Sequence, residues 1–310
     1  MRHTLPLLGA KRSGSSHEWL KRQNSDVYVR AAQLGNYRAR SFAKLQELQE
    51  RYRLLSPGAL VLELGAAPGG WSQVAAEIVH GGGTSALMLP SPPVLFLERD
   101  AALSPAPPAR AAGGRASILM LGHTEPGALP APAPAPSPSP APLARPPLLQ
   151  QAPPPPPLVV ALDLLPIDPI PGVQVVRGNA LRADLVPLLR RSVLQGHRGR
   201  SPSVLLCDMA PSFTGEAGTD QLRQIALALA ALRIALDGGL APGGNLCLKA
   251  RYGEGYAELR ASLRARFRAV HEAKPPASRA QSAEAYLVGL GFTPLPWLPA
   301  EAAYLASLGL

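Results

Sequence analysis

The stretch LELGAAPGGWSQVA, residues 62 to 75, runs from an apolar strand into a glycine-rich turn and then a helix. At the carboxyl end of a strand in an open α/β sheet, bare backbone at Gly65, Gly69 and Gly70 lets a ligand come close. A dinucleotide fingerprint reads G-x-G-x-x-G; this turn reads G-A-A-P-G-G and spells out no pyrophosphate cradle. Asp163 closes LVVALD about 25 residues beyond Gly65 once residues 85 to 157 are discounted, where an acid grips a ribose diol. A nucleoside without its pyrophosphate is indicated. S-adenosylmethionine, adenosine joined to a charged amino acid, fits that description. The alternative is an ordinary strand-to-helix turn with a capping acid.

Two more charges interrupt apolar runs. Asp208 closes SVLLCD, and Lys249 lies near the end of GNLCLKA. A lone ammonium there is costly to desolvate and needs an acid beside it. Asp208, at the end of the neighbouring strand, is well placed.

These residues need a sheet to carry them. Apolar runs at 59–64, 158–163, 173–176, 203–208, 244–250 and 284–292 alternate with helical stretches at 70–79, 180–195, 219–237 and 254–268. Continuous apolar strands alternating with such helices give a mostly parallel sheet covered on both faces. Ahead of it, residues 40 to 55 place Phe42, Leu45, Leu48, Tyr52 and Leu55 on one helical stripe, with Lys44 beside it.

Residues 85 to 157 differ from the rest and hold more than half of the 36 prolines. Proline forbids helix interiors and sheet ladders, so a disordered or polyproline insertion is expected. Two apolar pieces inside it, PVLFLERD (93–100) and ASILMLGH (116–123), are candidates for short strands. The domain then comprises 17–84 and 158–293, with 294–310 as a C-terminal tail.

Across 310 residues the formal net charge is +10, which favours an acidic partner, nucleic acid first. The two cysteines, Cys207 and Cys247, fall inside apolar runs, which argues against a disulfide framework. No run of about 18 apolar residues spans a bilayer, and the scattered histidines give no metal cluster. Residues 1 to 16 form a basic tail or a transit segment, with no acid before Glu18. A mitochondrial location is expected, with cytoplasm or plastid as alternatives, and a monomer without membrane or metal.

Six blocks resemble the FtsJ/RrmJ family of RNA ribose 2′-O-methyltransferases: SDVYVRAAQLGNYRARSFAKLQELQ, GAAPGGWSQVA, LDLLPIDPIPGV, CDMAPSFTG, LAPGGNLCLKARYGEGY and SRAQSAEAYLVG. They cover residues 16 to 292 outside the insertion, in the family's order. The resemblance implies a Rossmann-like class I methyltransferase fold, S-adenosylmethionine as cofactor, and large-subunit ribosomal RNA or a pre-ribosomal particle as partner. It points to a uridine as the methylated nucleotide. It also implies a catalytic set of Lys44 in SFAKL, Asp208 in CDMAP, Lys249 in LCLKA and Glu284 in SAEAY. Lys249 would activate the 2′-oxygen, Asp208 would orient Lys249 and face the sulfonium, and Lys44 and Glu284 would help position the ribose. Without the resemblance, Lys44 reads as a solvated lysine and Glu284 as an edge acid. The implied cofactor contacts are Gly69, Trp71, Asp163 and Asp208. Where the family has Gly-Asp after the third strand, this chain has Gly178-Asn179, whose carbonyl accepts a hydrogen bond without the charge.

RNA is read mainly through backbone charge, shape and stacking. Candidate contacts are Lys21, Arg22, Arg38, Arg40, Arg251, Lys274 and Arg279, while the arginines of RASLRARFR (260–268) read as a solvated helix face. Two other readings remain: an rRNA-binding assembly factor with weak catalysis, and a small-molecule methyltransferase or dinucleotide enzyme on the same fold.

Overall fold

The computed structural model describes residues 26–82, 89–97, 156–279 and 281–307. The N-terminal tail, Lys21, Arg22 and the piece ASILMLGH lie outside the described residues. Among the described residues the strands are β1 Val61–Leu64, β2 Leu95–Phe96, β3 Val159–Asp163, β4 Val173–Arg177, β5 Val204–Cys207, β6 Asn245–Arg251, β7 Phe267–Ala273 and β8 Glu284–Phe292. They form one sheet in the order β2, β4, β3, β1, β5, β6, β8, β7. Pairing is parallel from β2 through β6, and β8 runs antiparallel to both its neighbours. The helices are α1 Val27–Leu34, α2 Phe42–Tyr52, α3 Gly70–Val79, α4 Leu185–Ser192, α5 Ala217–Ile234, α6 Tyr256–Arg266 and α7 Pro299–Ser307.

Side chains alternate across the strands and divide the core in two. Leu62, Leu64, Leu205, Leu246 and Leu248 pack with Leu189, Leu229 and Leu263 from α4, α5 and α6. On the other face Val61, Leu206, Cys247, Tyr286 and Val288 pack with Leu45, Leu48 and Val74 from α2 and α3. Each of these fully buried leucines contributes roughly 1.5–3 kcal/mol. The stripe expected on α2 is therefore real: Phe42, Leu45 and Leu48 are buried, and Lys44 lies beside them.

Two segments depart from the expectation and one bears it out. The helix expected through Arg268 stops at Arg266, and FRAVHEA becomes β7, whose partly exposed alternation on the sheet edge hides behind the helical spacing before it. The candidate strand PVLFLERD is borne out: Leu95 and Phe96 pair with Val176 and Arg177, and Leu97 is buried in the core. The segment read as a tail carries α7, which Arg266 fastens. That arginine is only 1% exposed, so it is no part of a solvated face. It donates to both carboxylate oxygens of Glu301 and to the carbonyls of Ser262, Leu295 and Pro296. Hydrogen bonds from Arg266 hold the Glu301 carboxyl down to about 2.

Candidate active site

The glycines of the turn serve the chain's own packing first. Gly65 has φ +74°, and a Cβ there would stand 2.7 Å from the backbone nitrogen of Met209, the residue after Asp208. Gly69 has φ +112°, and its Cβ would meet Ile170 at 2.6 Å. L side chains rarely tolerate either conformation. Gly70 opens α3 against the carbonyl of Ala39.

Beyond the turn lies a cleft of about 390 Å³, lined by Gly65, Ala67, Asp163, Asn179, Asp208 and Lys249 together with the exposed Leu164, Leu165 and Leu181. Asp163 accepts the backbone N–H of Ala67 on Oδ2 and that of Leu165 on Oδ1, each at 2.8 Å. Each oxygen keeps a lone pair for a ligand. The Asn179 carbonyl accepts the N–H of Leu181 at 2.9 Å, an Asx turn that delays the helix expected from 180 until Leu185. Gly69, Gly70 and Trp71 do not line this cleft. Trp71 is buried, donates its Nε1–H to the carbonyl of Ser41 at 2.8 Å, and packs its ring 5.6 Å from that of Tyr286.

The four catalytic candidates come together at the mouth of this cleft. Lys249 Nζ lies 2.7 Å from Asp208 Oδ1 and 2.8 Å from the Asp208 carbonyl. Lys44 Nζ lies 2.5 Å from Glu284 Oε1. Tyr286 joins the two pairs: its hydroxyl donates to Asp208 Oδ1 at 2.7 Å and lies 3.4 Å from Lys44 Nζ. The register explains the convergence. Lys249 faces Tyr286 and Arg251 faces Glu284 across β6 and β8, so all four side chains leave the same face of the sheet, toward α2. Burial raises the Glu284 carboxyl, but the Lys44 ammonium outweighs it and holds the group below its ordinary range. Burial and the Asp208 carboxylate push the Tyr286 hydroxyl far up, so it stays a donor.

A second cleft of about 510 Å³ opens on the other side of Lys44 and Glu284, with Arg40, Ser41, Arg279, Gln281 and Ser282 in its walls. Arg40 is paired with Asp26 and with the carbonyl of Ala277. Glu47 holds the Ala277 N–H at 3.0 Å, so the loop between β7 and β8 is gripped at both polar groups of one residue. Lys274 donates to the Ser282 carbonyl. Arg38 instead clamps the carbonyls of Pro68, Asp168 and Pro169 beneath the glycine turn. Among the described residues no three His, Cys, Asp or Glu side chains gather as a metal site requires.

Sequence reasoning missed two residues. Tyr286 looks like any strand aromatic, although its place two residues after Glu284 puts both on one face. Glu63, an acid inside the apolar VLEL, is 1% exposed and accepts from Ser72 Oγ at 2.5 Å. Burial raises its carboxyl to about 8, leaving it protonated at neutral pH beneath the turn.

A family model described as FtsJ-like methyltransferase matches residues 37–89 and 147–292, well over half of the chain. The chain belongs to the FtsJ-like methyltransferase family. It is 32% identical over 284 residues to "Ribosomal RNA large subunit methyltransferase E" of Granulibacter bethesdensis, covering 92% of this chain and 88% of that protein. To the protein of the same name in Alkalilimnicola ehrlichii it is 33% identical over 282 residues, covering 91% and 97%. In fold, a ribosomal RNA methyltransferase crystal structure from Plasmodium falciparum matches with a TM-score of 0.52 at 19% identity, over 83% of this chain and 98% of that one. A methyltransferase of this family takes its methyl group from S-adenosylmethionine, and the first cleft fits that donor. Its volume lies within the roughly 300–1,000 Å³ of small-molecule sites, exposed leucines line it, and the two Asp163 oxygens suit a ribose diol.

Proposed function

We propose that this methyltransferase methylates the 2′-oxygen of a uridine ribose in large-subunit ribosomal RNA. The observation that carries the reading is the unbroken chain Lys249, Asp208, Tyr286, Lys44 and Glu284, set between a nucleoside-sized cleft and a basic one. The names and near full-length coverage of the bacterial relatives support the choice of RNA.

Bound in the first cleft, with Asp163 and Asn179 at its nucleoside and Asp208 nearby, S-adenosylmethionine supplies an electrophilic methyl on a sulfonium. Lys249 has three ammonium donors, and Asp208 occupies two. The third would point to the ribose 2′-oxygen, where the positive charge stabilises the oxygen as its proton passes to solvent and the oxygen takes the methyl carbon with breakage of its bond to sulfur, leaving S-adenosylhomocysteine. Asp208 positions Lys249 and balances its charge. Tyr286 holds the Asp208 carboxylate with a proton it does not give up. Lys44, fixed by ionised Glu284, seats the acceptor ribose, and Arg40 and Arg279 face its phosphates across the second cleft.

The uridine rests on the resemblance of the GAAPGGWSQ and DLLPIDPI blocks, and a mitochondrial location on the basic, acid-free residues before Glu18. The protein acts as a monomer. Mapping ribose methylation across large-subunit rRNA from cells lacking this gene tests the reading. Loss of methylation at one uridine is expected, and an unchanged map overturns it. A fluorescent fusion of the full chain reports the compartment.

A further inference from the structure

Arg251 ends β6 two residues after Lys249 and pairs across the sheet with Glu284, so its side chain emerges beside the catalytic group. Its guanidinium carbon lies 5.4 Å from the centre of the Phe213 ring. Its Nε is buried and has no hydrogen-bond partner among the described residues. A buried donor left unpaired is costly, and native structures retain one where a ligand completes it.

Phe213 is unusual for a different reason. It lies in the loop that leaves Asp208 toward α5, and 56% of it is exposed. That loop is fixed on both sides of the ring. The Ser212 carbonyl accepts from Arg223 at 3.3 Å, and Asp220 accepts from the Thr214 N–H at 2.7 Å, the Thr214 hydroxyl at 2.9 Å and the Gly215 N–H at 3.1 Å. An apolar ring held in water by a pinned backbone is a preformed contact surface. Tyr252, 44% exposed, stands next to Arg251; its hydroxyl donates to Glu272 at 2.7 Å and its ring leans on Tyr256. None of Phe213, Arg251 and Tyr252 lines either cleft.

We propose that Phe213 and Arg251 form a separate nucleotide subsite, in which Phe213 stacks the base next to the methylated nucleotide and Arg251 donates to its phosphate. This inference rests on RNA being the substrate. Stacking an unpaired base on an aromatic ring beside an arginine is how single-stranded RNA is held, and a phosphate, an acceptor without donors, suits a guanidinium. Stacking here would splay the neighbouring base away and leave the acceptor ribose exposed to Lys249.

The test compares full-length wild type with Phe213→Ala, Phe213→Leu, Phe213→Tyr and Arg251→Met, using large-subunit particles from cells lacking the gene. Phe213→Ala and Phe213→Leu are expected to raise KM for the particle about tenfold, with kcat within about twofold. Affinity for S-adenosylhomocysteine stays unchanged. Phe213→Tyr restores KM, because it keeps the ring face. Arg251→Met raises KM and flattens its salt dependence. Equal rescue by Leu and Tyr, or a fall in kcat at constant KM, overturns the subsite. In parallel, a short fluorescein-labelled oligouridylate should bind Phe213→Ala more weakly than wild type. Weaker binding of particles alone, with the oligouridylate unaffected, identifies a protein contact and overturns the proposal. If wild type transfers no methyl group to rRNA, the reading of its substrate fails, while the oligouridylate arm still decides the subsite.

Discussion

The two clefts on either side of the network from Lys249 to Glu284 are built in different ways. On the cofactor side, carboxylate and amide oxygens are tied to backbone: Asp163 to Ala67 and Leu165, and Asn179 to Leu181. Apolar residues, among them the exposed Leu164, Leu165 and Leu181, supply much of the remaining surface. On the acceptor side, side chain is set against side chain through two ion pairs and a bridging tyrosine, among residues from α2, β6, β8 and the end of β5. Backbone-tied oxygens make a recess with fixed acceptors, which suits the proposed nucleoside, whose charge does not change there. A set of linked ionised groups responds as a unit to charge appearing at one of its members. Damage to the first side should therefore register as cofactor affinity, and damage to the second as turnover.

Among changes outside the Lys249–Asp208 pair, the largest separation of these effects is expected from Tyr286→Phe. Removing one hydroxyl frees the Asp208 carboxylate from its neutral donor and lowers kcat by about 10- to 100-fold, the range of a hydrogen bond to a charged group. Binding of S-adenosylhomocysteine, measured by calorimetry, stays the same. Asp163→Ala should do the reverse: it weakens that binding about tenfold, and it costs about 1–3 kcal/mol of stability in urea because two backbone N–H groups lose their acceptor. If Asp163→Ala lowered kcat and left cofactor affinity intact, the division between the clefts would fail.

Glu63 sharpens the comparison from beneath the turn. Folding raises its carboxyl to about 8 from an ordinary 4.5, so between those values the folded state keeps a proton that the unfolded state has lost. Stability from this group therefore falls as pH rises through that window and levels off above it, by roughly 5 kcal/mol at most. Glu63→Gln should remove that fall in urea denaturation at pH 5 to 8. A slope shared by wild type and variant would place the proton elsewhere. The smallest effect is expected from Asn179→Asp, which adds charge to a hydrogen-bond acceptor at the cleft and tightens cofactor binding about threefold.

The two sides also differ in how far they could be read from sequence. The cofactor side is local: glycines follow an apolar strand, and an acid ends the next. The acceptor side joins Lys44 to Glu284 across 240 positions, and neither residue has a local pattern that separates it from a surface charge. Only the resemblance to a family marked them. Asp208 and Lys249 were legible because charge in an apolar strand is costly without a partner. Tyr286 was not, because an aromatic in a strand is ordinary. Most of the sheet was legible as apolar runs. β2 was legible as the apolar piece PVLFLERD within the proline-rich stretch, whereas β7 escaped because helical spacing ran into it. At Gly69 the structure supplies a second reason for a glycine, since a Cβ there would meet Ile170.

The central claim is that one buried ammonium, braced by Asp208, activates the ribose oxygen. Tritiated methyl transfer from S-adenosylmethionine to unmethylated large-subunit particles, comparing wild type with Lys249→Ala, tests it most directly. Labelling is expected to fall by about 10²–10³-fold, the range for a donor that stabilises a developing oxyanion, with binding of particles and of S-adenosylhomocysteine retained. Labelling by the variant within a few-fold of wild type would contradict the account.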